Sequence, residues 1–272
     1  MKGFDISYWQ GKLSKANFIK AKLAGFDFVI LRIGYNRELK ADSTFEDNYK
    51  GAKAAGLIVG AYYYSTSKTV AQSKKEAEFC LKIMNGRELS YPIFIDFEDP
   101  SQANLGKELS KKICEAFCNV IKKAGYSAGV YASYNYLTNK IAKIDDKYVI
   151  WLAQYPKATY KGRYELHQYS STTAVPGIGN RIDVDTSILS SGKGPKMIYP
   201  TLPKRGYFQK GDKGVNVQRL QTALNKVGYS CGTADGIFGE RTLSGVKVFQ
   251  YNNGLAVDGL FGKKSLKKLK EL

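Results

Sequence analysis

Three stretches of the chain, AKLAGFDFVI, AKAAGLIVGAY and IKKAGYSAGVY, share one pattern of apolar and polar positions. In each, a helical pattern closes on Ala-Gly and an apolar run follows at once. Gly25, Gly56 and Gly125 fit the left-handed residue that ends a helix, and the run after them fits a buried strand. That is the joint of alternating βα units. The pattern predicts a helix over residues 105–124, with Leu105, Leu109, Ile113, Phe117, Val120 and Ile121 on one face. Strands are predicted at residues 4–8, 28–34, 57–65, 93–98, 128–133, 149–154, 165–169 and 181–184. The later connections are short, which leaves the helical layer incomplete on that side. The alternation predicts an α/β fold, a distorted TIM-like (β/α) barrel of parallel strands.

The pattern changes near Ser190. SSGKGPKMIYPTLPKRG, residues 190–206, carries prolines and glycines without periodicity, so a linker is expected at 191–206 between a first domain, 1–190, and a second, 207–272. In the second part Val217, Leu220, Leu224 and Val227 mark a short amphipathic helix that stops at Gly228. DGIFGERTLSGV, from Asp235, then recurs as DGLFGKKSLKKL, from Asp258. Each copy has an Asp-Gly turn, an aromatic anchor, and a Thr or Ser at the start of a helix. This predicts a small all-α three-helix domain built on two copies of one turn. Two ordinary helix starts with no ligand role would read the same way.

Composition narrows the function classes. The chain has 272 residues and a net charge of +18, which points to an anionic partner: nucleic acid, an anionic membrane or a polyanionic wall polymer. No basic-aromatic motif supports nucleic acid. No segment approaches transmembrane length, so membrane insertion is not expected. The opening MKGFDISYWQ has no long apolar core of a signal peptide, and synthesis in a cytoplasm is the expectation. Four cysteines show neither disulfide nor zinc spacing; Cys114 and Cys118, i and i+4 on the predicted helix, read as core thiols. Zinc hydrolases usually need two or three histidines and this chain has His167 alone, so neither a metal nor a cofactor is expected. No nucleophile motif accompanies His167 for a Ser-His-Asp or Cys-His site. The 20 Tyr and 13 Phe suit a surface that meets sugars, or equally a Tyr-rich core.

Candidate chemistry lies in YPIFIDFEDP, residues 91–100. Alternation in a strand puts Asp96 and Glu98 on one face, roughly 6.5–7 Å apart. Two like charges that close in apolar surroundings perturb each other's protonation, which a general acid requires. The plain alternative is a solvated strand end running into the turn at Asp99-Pro100. Two more acids sit in strand segments, Asp5 in FDISYWQ and Asp183 in NRIDVDTS. Functional groups of a parallel barrel gather where its strands end, and the first and last strands are neighbours. A carboxylate pair without a metal set or a nucleophile triad points to glycoside hydrolysis.

FDISYWQG, GAYYYS, YPIFIDFED, GVYASYNYL, WLAQY, HQYSS and IDVDTS resemble, in order, the motifs of glycoside hydrolase family 25, the Chalaropsis-type muramidases. The resemblance covers residues 1–190. The stretch from GDKGVNVQRLQTALNKVGY to GLAVDGLFG resembles the three-helix peptidoglycan-binding module. Two departures are visible: Ser265-Leu266 where the module commonly has Trp after the last Thr, and Tyr63 where the family often has His. The resemblance implies hydrolysis of the β-1,4 bond between N-acetylmuramic acid and N-acetylglucosamine. By position Glu98 is the general acid and Asp96 orients the substrate's 2-acetamido group in a substrate-assisted, retaining route; an inverting route competes. Asp5 and Asp183 match the other two family acids, and Asp185 falls on a varying position, read as solvated or structural. Trp9, Tyr62, Tyr64, Tyr131 and Trp151 are candidate sugar contacts, although alternation turns about half of such residues away. Gln10 and Gln154 are candidate substrate hydrogen-bonders whose other role is capping backbone groups. The expected partner is bacterial peptidoglycan, of a Gram-positive wall, reached after release from the cytoplasm as by a phage endolysin. A bacterial autolysin, a chitinase-like enzyme and a wall lectin without catalysis are the alternatives.

Overall fold

A computed structural model describes residues 1–189 and 199–271. The described residues form two compact units, the break falling between Leu189 and Tyr199, with the short stretch 84–87 grouped with the second. The first part of the expected linker, through residue 198, lies outside the described residues.

In the first unit β1 (Lys2–Ile6), α1 (Lys15–Leu23), β2 (Phe28–Tyr35), the short β3 (Lys40–Ala41), α2 (Phe45–Ala54), β4 (Ile58–Tyr64) and α3 (Val70–Met84) follow one another. Next come β5 (Ile93–Asp96), α4 (Lys107–Lys123), β6 (Ala128–Ser133), α5 (Tyr134–Asn139), β7 (Val149–Ala153), β8 (Leu166–Val175) and β9 (Gly179–Ser187). The sheet runs β1-β9-β8-β7-β6-β5-β4-β2-β3 and closes through β1–β2, which makes an eight-stranded barrel with β3 hung on β2. Gly25, Gly56 and Gly125 take positive φ at the three αβ joints.

The barrel departs from an all-parallel one at a single strand. β9 is antiparallel to both β8 and β1, and β8 and β9 form a hairpin with no helix between them. The turn is Pro176-Gly177-Ile178, with Gly177 at φ +85° packed against the Asn17 carbonyl. On α4 the buried face is Ser110, Ile113, Cys114, Phe117, Cys118 and Ile121. The expected stripe is therefore turned: Leu109 is 38% exposed, while the two thiols take its place in the core.

Alternate residues of the strands face the barrel lumen, as the pleat requires. Phe28, Ile30, Phe94, Tyr131, Trp151 and Leu166 form one buried cluster there. Gly129 leaves Phe94 its space: a Cβ at that position would lie 2.5 Å from the ring and 2.5 Å from the Val149 carbonyl. One step along the same lumenal rows, the side chains become polar. Ile30 gives way to Arg32, Phe94 to Asp96, and Leu166 to Gln168.

The second unit contains β10 (Tyr207–Phe208), α6 (Val215–Lys226), α7 (Glu240–Asn252), β11 (Phe261–Gly262) and α8 (Lys263–Leu269) around a core of Val217, Leu220, Phe238, Val246, Phe249 and Phe261. The three expected helices are present, joined by a two-residue antiparallel pairing of β10 with β11. The repeated turn has one internal brace in each copy. Gln221 donates to Asp235 Oδ1 and the Ile237 carbonyl and accepts from the Gly236 amide. Gln250 does the same for Asp258, Leu260 and Gly259.

Candidate active site

The acids meet at one end of the barrel. Asp5, near the end of β1, is directly opposite Asp183 on β9. Because β9 runs backwards, a mid-strand residue arrives where the parallel strands finish. Asp96 ends β5 in the lumenal row above Phe94, and Glu98 follows just outside the strand. The neighbour of Asp96 on β4 is Tyr64 and on β6 is Tyr131.

A hydrogen-bonded floor holds this cluster. Gln168 Nε2 donates to Asp5 Oδ2 at 2.7 Å, and Gln168 Oε1 accepts from the hydroxyls of Tyr131, at 2.9 Å, and Tyr155. Trp151 Nε1 donates to Asp185 Oδ1 at 2.8 Å. Glu98 Oε2 accepts from the Ser133 amide at 3.2 Å, which ties it to the end of β6.

Burial dominates the electrostatics. It pushes the Asp5 carboxyl well above the usual range, helped by the charges of Asp185 and Asp183 and opposed by the Gln168 hydrogen bond. Asp185, with no exposure, is also pushed well up by burial, despite the Trp151 bond. Asp183 is raised by burial. Glu98 is raised by burial against the hydrogen bonding from Ser133. Asp96, 6% exposed, is raised well above its usual range by burial and then by Glu98, with Arg32 pulling it down. Burial thus raises all five neighbouring carboxyls above the range of isolated ones.

The aromatic and amide candidates separate by position. Trp9 is 75% exposed and its ring centroid lies 4.6 Å from that of Tyr8. Tyr62 is half-buried above the lumenal cluster, and burial with the charge of Asp5 raises its hydroxyl well above the usual range. Tyr64, half-buried, donates to Asp99 Oδ2 at 2.9 Å. Trp151 is 1% exposed and Tyr131 is buried beside it, ring centroids 4.5 Å apart, so these two support the acids from beneath and offer no open face to a sugar. Both glutamines cap backbone: Gln10 Oε1 accepts from the Ser7 amide, and Gln154 Oε1 from the amides of Thr159 and Tyr160. Asp185 is structural and not solvated. Tyr63 is fully buried and donates to the Asn36 carbonyl on the outer side of β4.

Several site residues lie outside the motifs that single out acids. Arg32 donates from Nε to Asp42 Oδ2 at 2.8 Å, and its guanidinium lies 4.4 Å from the Tyr8 ring and 4.8 Å from the Tyr35 ring. A lone charge inside the apolar run FVILRIGY is the sequence signal for it. Gln168 and Tyr155 carried no such signal. Among the described residues no group of three or more His, Cys, Asp or Glu is arranged to hold a metal ion.

Glycosyl hydrolases family 25 matches residues 4–178, which is most of the barrel and more than half of the chain. The chain belongs to glycosyl hydrolase family 25. A putative peptidoglycan binding domain matches residues 213–269. Among curated relatives, the autolytic lysozyme of Clostridium acetobutylicum is 29% identical over 269 residues, covering 96% of this chain and 76% of that protein. Among solved structures, the bacterial lysozyme from Streptomyces coelicolor shares the fold at a TM-score of 0.58 and 21% identity, covering 70% of this chain and 93% of that one. The catalytic domain of an endolysin from a Listeria monocytogenes bacteriophage does so at 0.57 and 23%, covering 69% and 92%. Membership of that family makes glycoside hydrolysis the chemistry of the barrel; β9 and Asp183 lie just beyond the matched residues.

Proposed function

We propose that the chain is a muramidase that cleaves the β-1,4 bond between N-acetylmuramic acid and N-acetylglucosamine in bacterial peptidoglycan. The observation that carries this reading is the gathering of Asp5, Asp96, Glu98 and Asp183 at one barrel mouth, in surroundings that hold protons on carboxyls. Glu98 is the more open member of the Asp96–Glu98 pair, and it protonates the leaving oxygen. Asp96, as a carboxylate, orients the 2-acetamido group for attack on the anomeric carbon. Asp5 and Asp183 line the same mouth and hold the substrate in position there. The exposed Trp9 offers its face to a sugar ring.

The peptidoglycan-binding match at 213–269 supports wall attachment through the second unit. The net charge of +18 favours walls rich in anionic polymer, as in Gram-positive bacteria. An endolysin and an autolysin would run the same chemistry.

Replacing Glu98 tests the reading. Glu98→Gln keeps the size and the bond from the Ser133 amide but has no proton to transfer. Its rate on soluble glycan should fall by about 10²–10⁴ while the fold and wall binding persist. A near-normal rate with the fold intact would remove Glu98 from the role of acid.

A further inference from the structure

Six buried side-chain atoms stand without a hydrogen-bond partner among the described residues, and three of them belong to the barrel mouth: Arg32 Nη2, Asp96 Oδ1 and, on β9, Asp185 Oδ2. The Arg32 side chain is 10% exposed and leaves the same lumenal row as Ile30, at the level of Tyr62 on β4. It is fixed from behind. Asp42 accepts from its Nε and is itself held by the Tyr8 amide and by the amide and hydroxyl of Thr44. Tyr8 and Tyr35 pack against the guanidinium. Nε is therefore satisfied and Nη2 is not. Arg32 pairs with Asp42 and not with Asp96 in this structure; leaving a charged donor and a carboxylate oxygen buried and unpaired is costly, and a side-chain movement that joins the two removes that cost.

The proposed chemistry makes this arrangement consequential. It needs Asp96 ionised and Glu98 protonated, yet Asp96 is the deeper of the two and its burial favours the opposite order. The other groups acting around Asp96 are Glu98 and Asp99 on its own segment, Asp5 on β1, Tyr62 and Tyr64 on β4, and Tyr131 on β6. None of these is a cation; Arg32 is.

We propose that Arg32 is a positioning residue: by giving its free Nη2 to Asp96 Oδ1 it fixes that carboxylate and sets which of Asp96 and Glu98 carries the proton. Arg32 acts through Asp96, and Asp42 restrains it. The proposal rests on the roles given above to Asp96 and Glu98, so its test separates the two.

The experiment uses the full chain and the variants Arg32→Gln, Arg32→Lys and Asp42→Asn. Carboxyl-carbon NMR follows the titration of Asp96, assigned by the signal lost in Asp96→Asn, and kcat and KM on soluble glycan are measured across pH. Arg32→Gln should move the Asp96 titration and the acidic limb of kcat to higher pH by about one unit, with KM little changed. Arg32→Lys should restore most of the limb. Asp42→Asn keeps the cation and removes its counter-charge, so it should move both to lower pH. The opposite signs matter, because a merely structural Arg32–Asp42 pair would shift both variants alike or neither. Unmoved Asp96 titration in folded Arg32→Gln and Asp42→Asn overturns the proposal. A moved titration with an unmoved kcat limb upholds the hold of Arg32 on Asp96 and overturns instead the catalytic role of Asp96.

Discussion

Asp185 shows what the acid cluster does to the energetics of single residues. It is fully buried, bonded to Trp151, and its carboxyl is raised well above the usual range by burial and then, after the opposing Trp151 bond, by Asp183. A carboxyl raised in the folded chain stabilises it below the unfolded value, and that contribution is lost as pH rises through the folded value. At neutral pH, then, the charge of Asp185 favours unfolding. Asp185→Asn keeps an oxygen for Trp151 and removes the charge. It should raise the barrel's melting midpoint at pH 7, by about 2–4 °C for each kcal/mol gained in a domain of this size, and the gain should vanish near pH 4. Calorimetry at the two pH values reads this; an equal effect at both would show that packing and not charge is at issue. The acids were legible as residues because charge inside an apolar run is unusual. Which aromatic rings are open was not legible: Trp9 and Trp151 both sit in or beside strand motifs, and only closure of the barrel separates 75% from 1% exposure.

Among the elements, the βα joints were readable because helix period, Ala-Gly and strand follow within a few residues, and positive φ at Gly25, Gly56 and Gly125 answers that pattern. The direction of β9 was harder, since alternation is the same read either way. VPGIG, residues 175–179, was the available signal, a Pro-Gly turn too short for a crossover helix. The turning of α4 has a similar origin: Leu109 and Cys114 both fit an apolar stripe, and the contact with the barrel selects the thiol side. In the second unit the repeat was visible but its brace was not, because Gln221 and Gln250 precede their turns by 14 and 8 residues. Gln221→Leu would leave the buried Gly236 amide without its partner, at about 1–3 kcal/mol, while the Ile237 carbonyl keeps the Gly239 amide. Urea unfolding should show the second unit weakened and the barrel transition unchanged. Equal loss in both transitions would contradict independent folding of the units.

In the whole molecule, the proposed division of labour gives cleavage to the barrel and wall attachment to the second unit. Residues 1–190 alone should cleave soluble glycan at the full-length rate and bind walls less tightly. Added salt should weaken wall attachment of the full chain through screening, with a Debye length falling from about 10 Å at 0.1 M to about 3 Å at 1 M, and should change cleavage of a short neutral glycan much less. Equal salt sensitivity would place the charge effect in the active site. The central claim concerns which bond is broken, and the chemistry of the new chain end decides it. Peptidoglycan digested by the full-length protein, with reducing ends labelled and read by mass spectrometry, should show N-acetylmuramic acid at the new reducing end, and Glu98→Gln should yield about 10²–10⁴ less of it. N-acetylglucosamine at the new reducing end, or an undiminished yield from Glu98→Gln, would contradict the account.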